Sequence, residues 1–353
     1  MDLFINGIAC ISPQPTFGAV GFPFVMQQYS GNRLPCIEPD YSPYIDPKAS
    51  RRMGRLLKYG TTAGLQALRD SGVEVPDAIT TGTGFGLLDD SGRFLKAITE
   101  GDEGVVSPTA FIQSTHNTVS SNIALLVGCK GHNNTFVHKG FSFESALTDA
   151  QLIATEKPTL KNILVGAYDE TTDYSYDIMQ RLRLFRAEPN TNFDLFKYTQ
   201  SGTIAGEGAM FGLLSTKPSA NCYARYRGCT MLYNPNSVEV IATKINNFLL
   251  QQGVSLSDID IIISGICGDA KRDQFLTQLN DSYFNQQTIL TYKHLCGEYM
   301  TSSAFAFWMA AMIVSTGAIP QEAILKNRDR KAKNILICNA YKKGYGFMLL
   351  SKP

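Results

Sequence analysis

Residues 135–147 read TFVHKGFSFESAL, a β-branched apolar run that meets a helix-like run at Lys139-Gly140. A strand turning sharply into a helix exposes one side chain at the end of a sheet, where helix N–H groups favour an attacking anion. Here the turn holds a glycine, which supplies no nucleophile. Two residues on, Gly140-Phe141-Ser142-Phe143-Glu144 approaches the G-x-S-x-G elbow of a serine hydrolase, with Ser142 in the serine's place. Glu144 replaces the last glycine of that pattern, whose missing side chain lets strand and helix approach. The plainer use of Ser142 is to cap a helix. Cys296 and Cys267 are alternative thiol nucleophiles, and His294 shares a face with Cys296 if that stretch is a strand. His116 and His132 fit polar partners in loops or caps, and His138 precedes the turn. Four isolated histidines give no metal signature, so no metal or other cofactor is expected.

Composition narrows the function classes. The 32 basic and 31 acidic residues leave no excess charge to neutralise a phosphate backbone, which argues against nucleic acid. Charged residues are 18% and hydrophobic residues 44%, a balance that suits much buried surface and a broad subunit interface. The eight cysteines are scattered, without a CxxC pair, and fit buried thiols in a reducing cytoplasm. The N-terminus lacks the basic start and apolar core of a signal peptide. The uncharged stretch between Glu298 and Glu322 is diluted by serine, threonine and glycine, and reads as a buried helix rather than a membrane span. The acidic stretch 169–177 lacks the glycine and terminal glutamate of a calcium loop. With Arg181, Arg183 and Arg186 nearby, it reads as a salt-linked surface or subunit contact. GTGFG at 82–86 is not a dinucleotide fingerprint, because its third glycine comes one residue early.

The elements that must position these residues repeat. KNILVGAY from Lys161 returns as KNILICNAY from Lys333, and the glycine-rich strand from Gly206 returns from Gly344. Upstream, Gly72, Asp77 and Gly84 match Gly253, Asp258 and Gly265 at equal offsets. Two halves follow, 1–218 and 219–353, with an insertion at about 167–205 in the first. Met53, Leu56, Leu57, Gly60, Ala63, Gly64, Ala67 and Leu68 recur at helical spacing, while the short apolar runs AITTGTG and DIIISGICG suit fully buried strands. The expected class is α/β, with a mixed sheet in each half and helices between and outside.

This order of motifs resembles the β-ketoacyl synthase (condensing enzyme) family of the thiolase fold. GTGFG resembles the family's early glycine motif. The segment at 107–125 resembles its Ser-Pro-to-helix stretch, GEGAMFGLL its GEGA strand, and KHLCGE at 293–298 its Lys-x-x-x-Gly-His motif. NAYKKGYG at 339–346 stands where the family has a Phe-Gly-Phe-Gly-Gly loop. The resemblance implies two duplicated thiolase-like halves in α-β-α-β-α layers. It also implies chemistry in which a cysteine thiolate takes the acyl chain and two imidazoles, or one imidazole and an amide, stabilise an enolate. By that correspondence the thiol position is Gly140, the first histidine region is Ile266 and Cys267, and the second histidine is Glu298. Lys293 alone is retained.

The resemblance therefore implies a scaffold that has lost condensation. It is similar to chain-length factors, above all the short ketosynthase-like partners of aryl-polyene and flexirubin-type systems. These implied partners are an active ketosynthase in a heterodimer, or a second copy, and an acyl carrier protein bearing an acyl-phosphopantetheine. Phe141, Phe143 and Lys343 are then tunnel or gate residues. Lys342 and Lys343 are positioned to meet an acidic carrier. Three other readings stay open: a divergent acyltransferase using Cys267 or Cys296, a Ser142 hydrolase, and a non-enzymatic homodimeric scaffold.

Overall fold

The repeated stretches fold into equivalent strands. In the computed structural model, which describes residues 1–22, 25–100, 108–188, 191–197 and 201–353, KNILVGAY supplies β4 (Asn162–Asp169) and KNILICNAY supplies β10 (Asn334–Tyr341). The glycine-rich runs that follow supply β5 (Gly208–Ser215) and β11 (Gly344–Ser351). The remaining strands are β1 (Leu3–Ile11), β2 (Ala78–Gly82), β3 (His132–Phe136), β6 (Ala224–Tyr233), β7 (Ile261–Ser264), β8 (Thr288–Thr291) and β9 (Ile324–Lys326). Their order is β3-β2-β4-β5-β1 in the first half and β6-β11-β10-β7-β8 in the second, with β9 added at the edge. Read outward from the join, each half runs through the same series, and the same parallel and antiparallel pairings recur. The two half-sheets are hydrogen-bonded to each other where Leu3–Ile5 of β1 meets Ala224–Tyr226 of β6.

Duplication is also visible in the loops, with a corrected register. Asp77 accepts N–H bonds from Lys161 and Asn162, and the residue that accepts from Lys333 and Asn334 is Asp260. Asp258, the expected match, instead caps its own turn through Ser255. The pairing of Ala78 with Ile163 and of Ile261 with Ile335 accordingly makes Gly82, not Gly84, the counterpart of Gly265. The loop after Gly253 is two residues longer than the loop after Gly72.

Helices of six residues or more are α1 (Arg55–Ser71), α2 (Leu88–Glu100), α3 (Pro108–Gln113), α4 (Thr118–Val127), α5 (Ser142–Glu156), α6 (Asp173–Arg181), α7 (Val238–Gln251), α8 (Ala270–Gln278) and α9 (Ser303–Thr316). Leu56, Leu57, Gly60, Ala63, Gly64, Ala67 and Leu68 of the expected stripe are buried on α1, whereas Met53 precedes the helix and is only partly buried. The helix stops at Gly72 in the left-handed conformation, φ 72°. Helix α1 packs on β1, β4 and β5, while α7 packs on β6 and α8. Between the half-sheets lie α5 and α9, and their side chains join both sheets in one core. That order gives the five layers. Helix α9 is apolar all round because it is buried all round, and no helix among the described residues is long and apolar enough to cross a membrane.

Phe143 belongs to this central core, contrary to a tunnel or gate role. It is fully buried and packs edge-on against Phe307 at 5.4 Å, and Phe307 packs against Tyr226 at 5.8 Å. Truncation should leave a cavity rather than widen a ligand site. Phe143→Ala is expected to cost about 3–5 kcal/mol in urea unfolding; a cost below about 1 kcal/mol would place the ring outside the core.

Candidate functional site

Strand β3 ends at Phe136, one 3₁₀ turn covers Lys139–Phe141, and α5 begins at Ser142. The expected strand–turn–helix therefore exists. Its strained residue is Lys139, with φ 53°. Gly140 faces the ring of Tyr341: a Cβ at 140 would stand 2.5 Å from Tyr341 Cβ. A side chain there must displace Tyr341, so the glycine is a packing requirement as well as a missing nucleophile. Ser142 is fully buried. Its Oγ accepts the His138 N–H at 2.8 Å and donates to the Lys139 carbonyl at 2.8 Å. The hydroxyl holds the turn together and is not a free nucleophile. Phe141 is nearly buried and lines a groove of about 720 Å³ beside the turn. Lys139, Met231, Tyr341, Lys342 and Lys343 line the same groove. Lys342 and Lys343 form the two-residue turn of the β10–β11 hairpin, and Lys342 takes a left-handed φ of 53°.

Glu298 does not repel its surroundings as a lone carboxylate would. Its Oε2 lies 2.8 Å from Lys293 Nζ and 3.2 Å from an Arg272 nitrogen, and Ser302 donates to Oε1. Lys293 is wholly buried and also donates to the Ala340 carbonyl at 2.7 Å. The backbone of Glu298 exchanges hydrogen bonds with Ile204 and Gly206, which ties this position to the GEGA strand. Cation and anion neutralise each other in a largely buried site, an arrangement that holds structure and offers no proton donor in the manner of an imidazole.

The thiol alternatives are corrected by local geometry. Lys293–Cys296 forms a helical turn ended by Gly297 at φ 74°, so the two-residue spacing does not bring His294 and Cys296 to one face. His294 donates through Nε2 to the Glu322 carbonyl, and burial lowers its pKa to about 4. Burial pushes the Cys296 thiol far above the ordinary range, and that of Cys267 up to about 12. At both positions burial disfavours the thiolate that attack requires. Ile266 joins the outer core of the second half with α7. Arg186 is not a surface cation: it is buried and donates to the carbonyls of Gly202, Leu195 and Gly268.

The glycine motifs are positioned by two carboxylates. Asp169 accepts from Thr83, Gly84 and Phe85 through one oxygen and from Thr301 through the other. Glu207 of GEGA pairs with Arg55 and accepts the N–H groups of Cys36 and Thr171. Ser107, the first residue of the Ser-Pro stretch, lies outside the described residues. No group of three or more metal-ligating side chains occurs among the described residues. A central cavity of about 40 Å³ is lined by Glu170, Arg272, Glu298, Tyr341 and Lys342 among others. Sequence reading missed Arg272, Tyr341 and Glu170. Glu170 was visible only within the acidic stretch 169–177 and Tyr341 only within NAYKKGYG, and no local signal marked Arg272.

Glu144 is the other unexpected group. It lies in the first turn of α5, is fully buried, and has Ser303 and Asn339 beside it, yet neither carboxyl oxygen makes a hydrogen bond of normal geometry. Burial raises its pKa from 4.5 to about 7.

The comparisons with known proteins agree with this architecture. The family described as "Beta-ketoacyl synthase, N-terminal domain" matches residues 35–187. The 3-oxoacyl-[acyl-carrier-protein] synthase 2 of Vibrio harveyi is 32% identical over 100 residues, 27% of this chain and 24% of that protein. Its Vibrio cholerae counterpart is 31% identical over 100 residues, with the same coverage. The match thus spans about a quarter of these curated relatives. Among solved structures, the ishigamide ketosynthase/chain length factor superposes with TM-score 0.81 at 18% identity, covering 100% of this chain and 99% of that one. The ketosynthase ApeO in complex with its chain length factor ApeC from Xenorhabdus doucetiae gives 0.77 at 15% identity, covering 100% and 98%. At those identities the likeness establishes the thiolase-like fold.

A carboxyl protonated in the folded protein up to about pH 7, but only to 4.5 when unfolded, stabilises below pH 4.5. That stability is lost as pH rises to 7, by on the order of 3 kcal/mol. Relative to the parent, Glu144→Gln should therefore gain stability between pH 4.5 and 7 and stay level above, read from urea midpoints. A pH-independent difference would show that Glu144 ionises normally in the fold.

Proposed function

We propose that this chain is a member of the β-ketoacyl synthase family, a subunit silent in condensation that pairs with an active ketosynthase and helps set acyl chain length. The observation that carries this reading is the turn at Gly140, where no thiol is present and Tyr341 occupies the space a side chain would need. The ion pairs of Glu298 with Lys293 and Arg272 support it, since they stand where the family resemblance expects an imidazole. The groove beside the turn combines apolar walls with Lys139, Lys342 and Lys343, which suits an acyl-phosphopantetheine carried by an acidic carrier protein. The proposed pathway class is aryl-polyene or related fatty acid and polyketide synthesis, in the cytoplasm.

A free sheet edge supports the proposed pairing. Strand β3 is a free sheet edge, with Asn133 and Asn134 exposed. Leu125, at 82% exposure, Leu126 and Val137 are exposed apolar residues on α4 and just after β3. An unpaired edge beside apolar side chains is a surface for strand addition by a partner of the same fold. Co-expression with an active ketosynthase of an aryl-polyene system should give a 1:1 complex on size-exclusion chromatography with light scattering. Leu125→Asp should weaken that complex at least ~10-fold, a loss of about 1.4 kcal/mol. A self-dimer unaffected by the ketosynthase would favour the homodimeric scaffold instead.

A further inference from the structure

We propose that the groove beside Gly140 is a peptide-binding site, in which an extended segment rich in carboxylates adds as a strand to the free edge of β6. Strand β1 pairs with β6 only through Leu3–Ile5 and Ala224–Tyr226, and beyond Ile5 it pairs with β5 alone. On its other side β6 pairs with β11 as far as Tyr233, and Asn234 donates to the Lys343 carbonyl at 2.8 Å. Successive residues of a strand turn their N–H and C=O groups to opposite sides. Asn234 and Leu232 therefore face β11, while Met231 and Tyr233 turn their backbone groups away from it. Helix α5 covers the first part of that edge, where Gln151 donates to the Arg227 carbonyl at 3.2 Å. Further along, Met231 and Tyr233 line the groove, and Tyr233 is 71% exposed. Among the described residues no hydrogen bond reaches the outward backbone groups of either.

Spacing and charge identify the occupant. The outward groups of Met231 and Tyr233 repeat at about 6.8 Å, the repeat of alternate residues in an added strand. Val137, Phe141 and Tyr341 supply apolar walls for its side chains. Lys139, Lys342 and Lys343 are exposed on the same groove, and no acidic side chain lines it. Among the described residues none of these lysines forms an ion pair. Glu144, the first carboxylate of α5, is fully buried and stands apart from the groove. Lys139 and Lys342 both take φ 53°, a strain of the kind that collects at ligand clamps. Three unopposed cations beside an unpaired strand edge call for a ligand with both backbone amides and negative charge, which is an extended acidic peptide. At about 720 Å³ the groove has the size of ordinary ligand sites. Peptide and acyl-phosphopantetheine would occupy the same groove and exclude each other, but the peptide site does not depend on the acyl reading.

The test titrates the whole chain into a fluorescein-labelled peptide amide of alternating glutamate and valine, six residues long, and reads fluorescence anisotropy. Saturable binding that weakens as salt rises is expected. The same peptide N-methylated throughout keeps its charge but loses its N–H donors, and should bind at least ~10-fold more weakly. Met231→Pro removes an N–H that faces away from β11, so the ladder is spared, and should weaken binding by a similar factor. Lys343→Glu should weaken it at least ~10-fold and flatten the salt dependence. No saturable binding to the parent overturns the proposal. So does equal binding of the N-methylated peptide, or of one with lysine in place of glutamate, and both controls use the parent chain, whatever the fate of the variants. The assay contains no carrier, acyl group or ketosynthase, so its failure and a failure of pairing are separate results.

Discussion

Lys293, Glu298 and Arg272 form the contact on which the rest of the site depends. Taking charges out of water is costly, and it is tolerated here because the carboxylate meets two cations and a hydroxyl. The cluster joins the segment after β8, the start of α8, the end of β10 through Ala340, and the GEGA strand through Gly206. Removing Glu298 would leave the buried Lys293 and Arg272 without their shared counter-charge at the meeting point of both halves. A side chain that the family resemblance would assign to enolate chemistry is thereby committed to structure.

The strand–turn–helix at Gly140 follows the same principle. The architecture of a nucleophile elbow is retained, including a left-handed residue, but its contents have been packed shut. Ser142 serves the turn, Tyr341 covers Gly140, and Phe143 fills the core. What stays open lies beside the turn: an apolar groove with a basic rim, and a small cavity bounded by Glu170 and Arg272. The geometry favours holding a chain over bonding to one.

The fold was largely legible because duplication wrote it twice. The KNIL strands, the glycine-rich strands that follow them and the stripe of α1 all stand where periodicity placed them. Equal spacing misled where one loop had grown: anchoring on Gly253 selected Asp258, while hydrogen bonding to Lys333 and Asn334 selects Asp260. The site was legible in position more than in content. Alignment of motifs brought attention to Gly140, Lys293 and Glu298. It could not reveal that Arg272, distant in sequence, completes the ion cluster, or that Tyr341 covers a glycine some two hundred residues earlier. Two-residue spacing also suggested a Cys296–His294 pair, which the helical turn before Gly297 separates. Such contacts arise from packing across the fold, which local pattern does not encode.

The most direct measurement is intact mass after incubation with acyl-carrier thioesters, with and without a co-purified active ketosynthase. The account predicts an acyl adduct on the ketosynthase and an unmodified mass for this chain under both conditions. An adduct on this chain, located by peptide mapping to Ser142, Cys267 or Cys296, would contradict it.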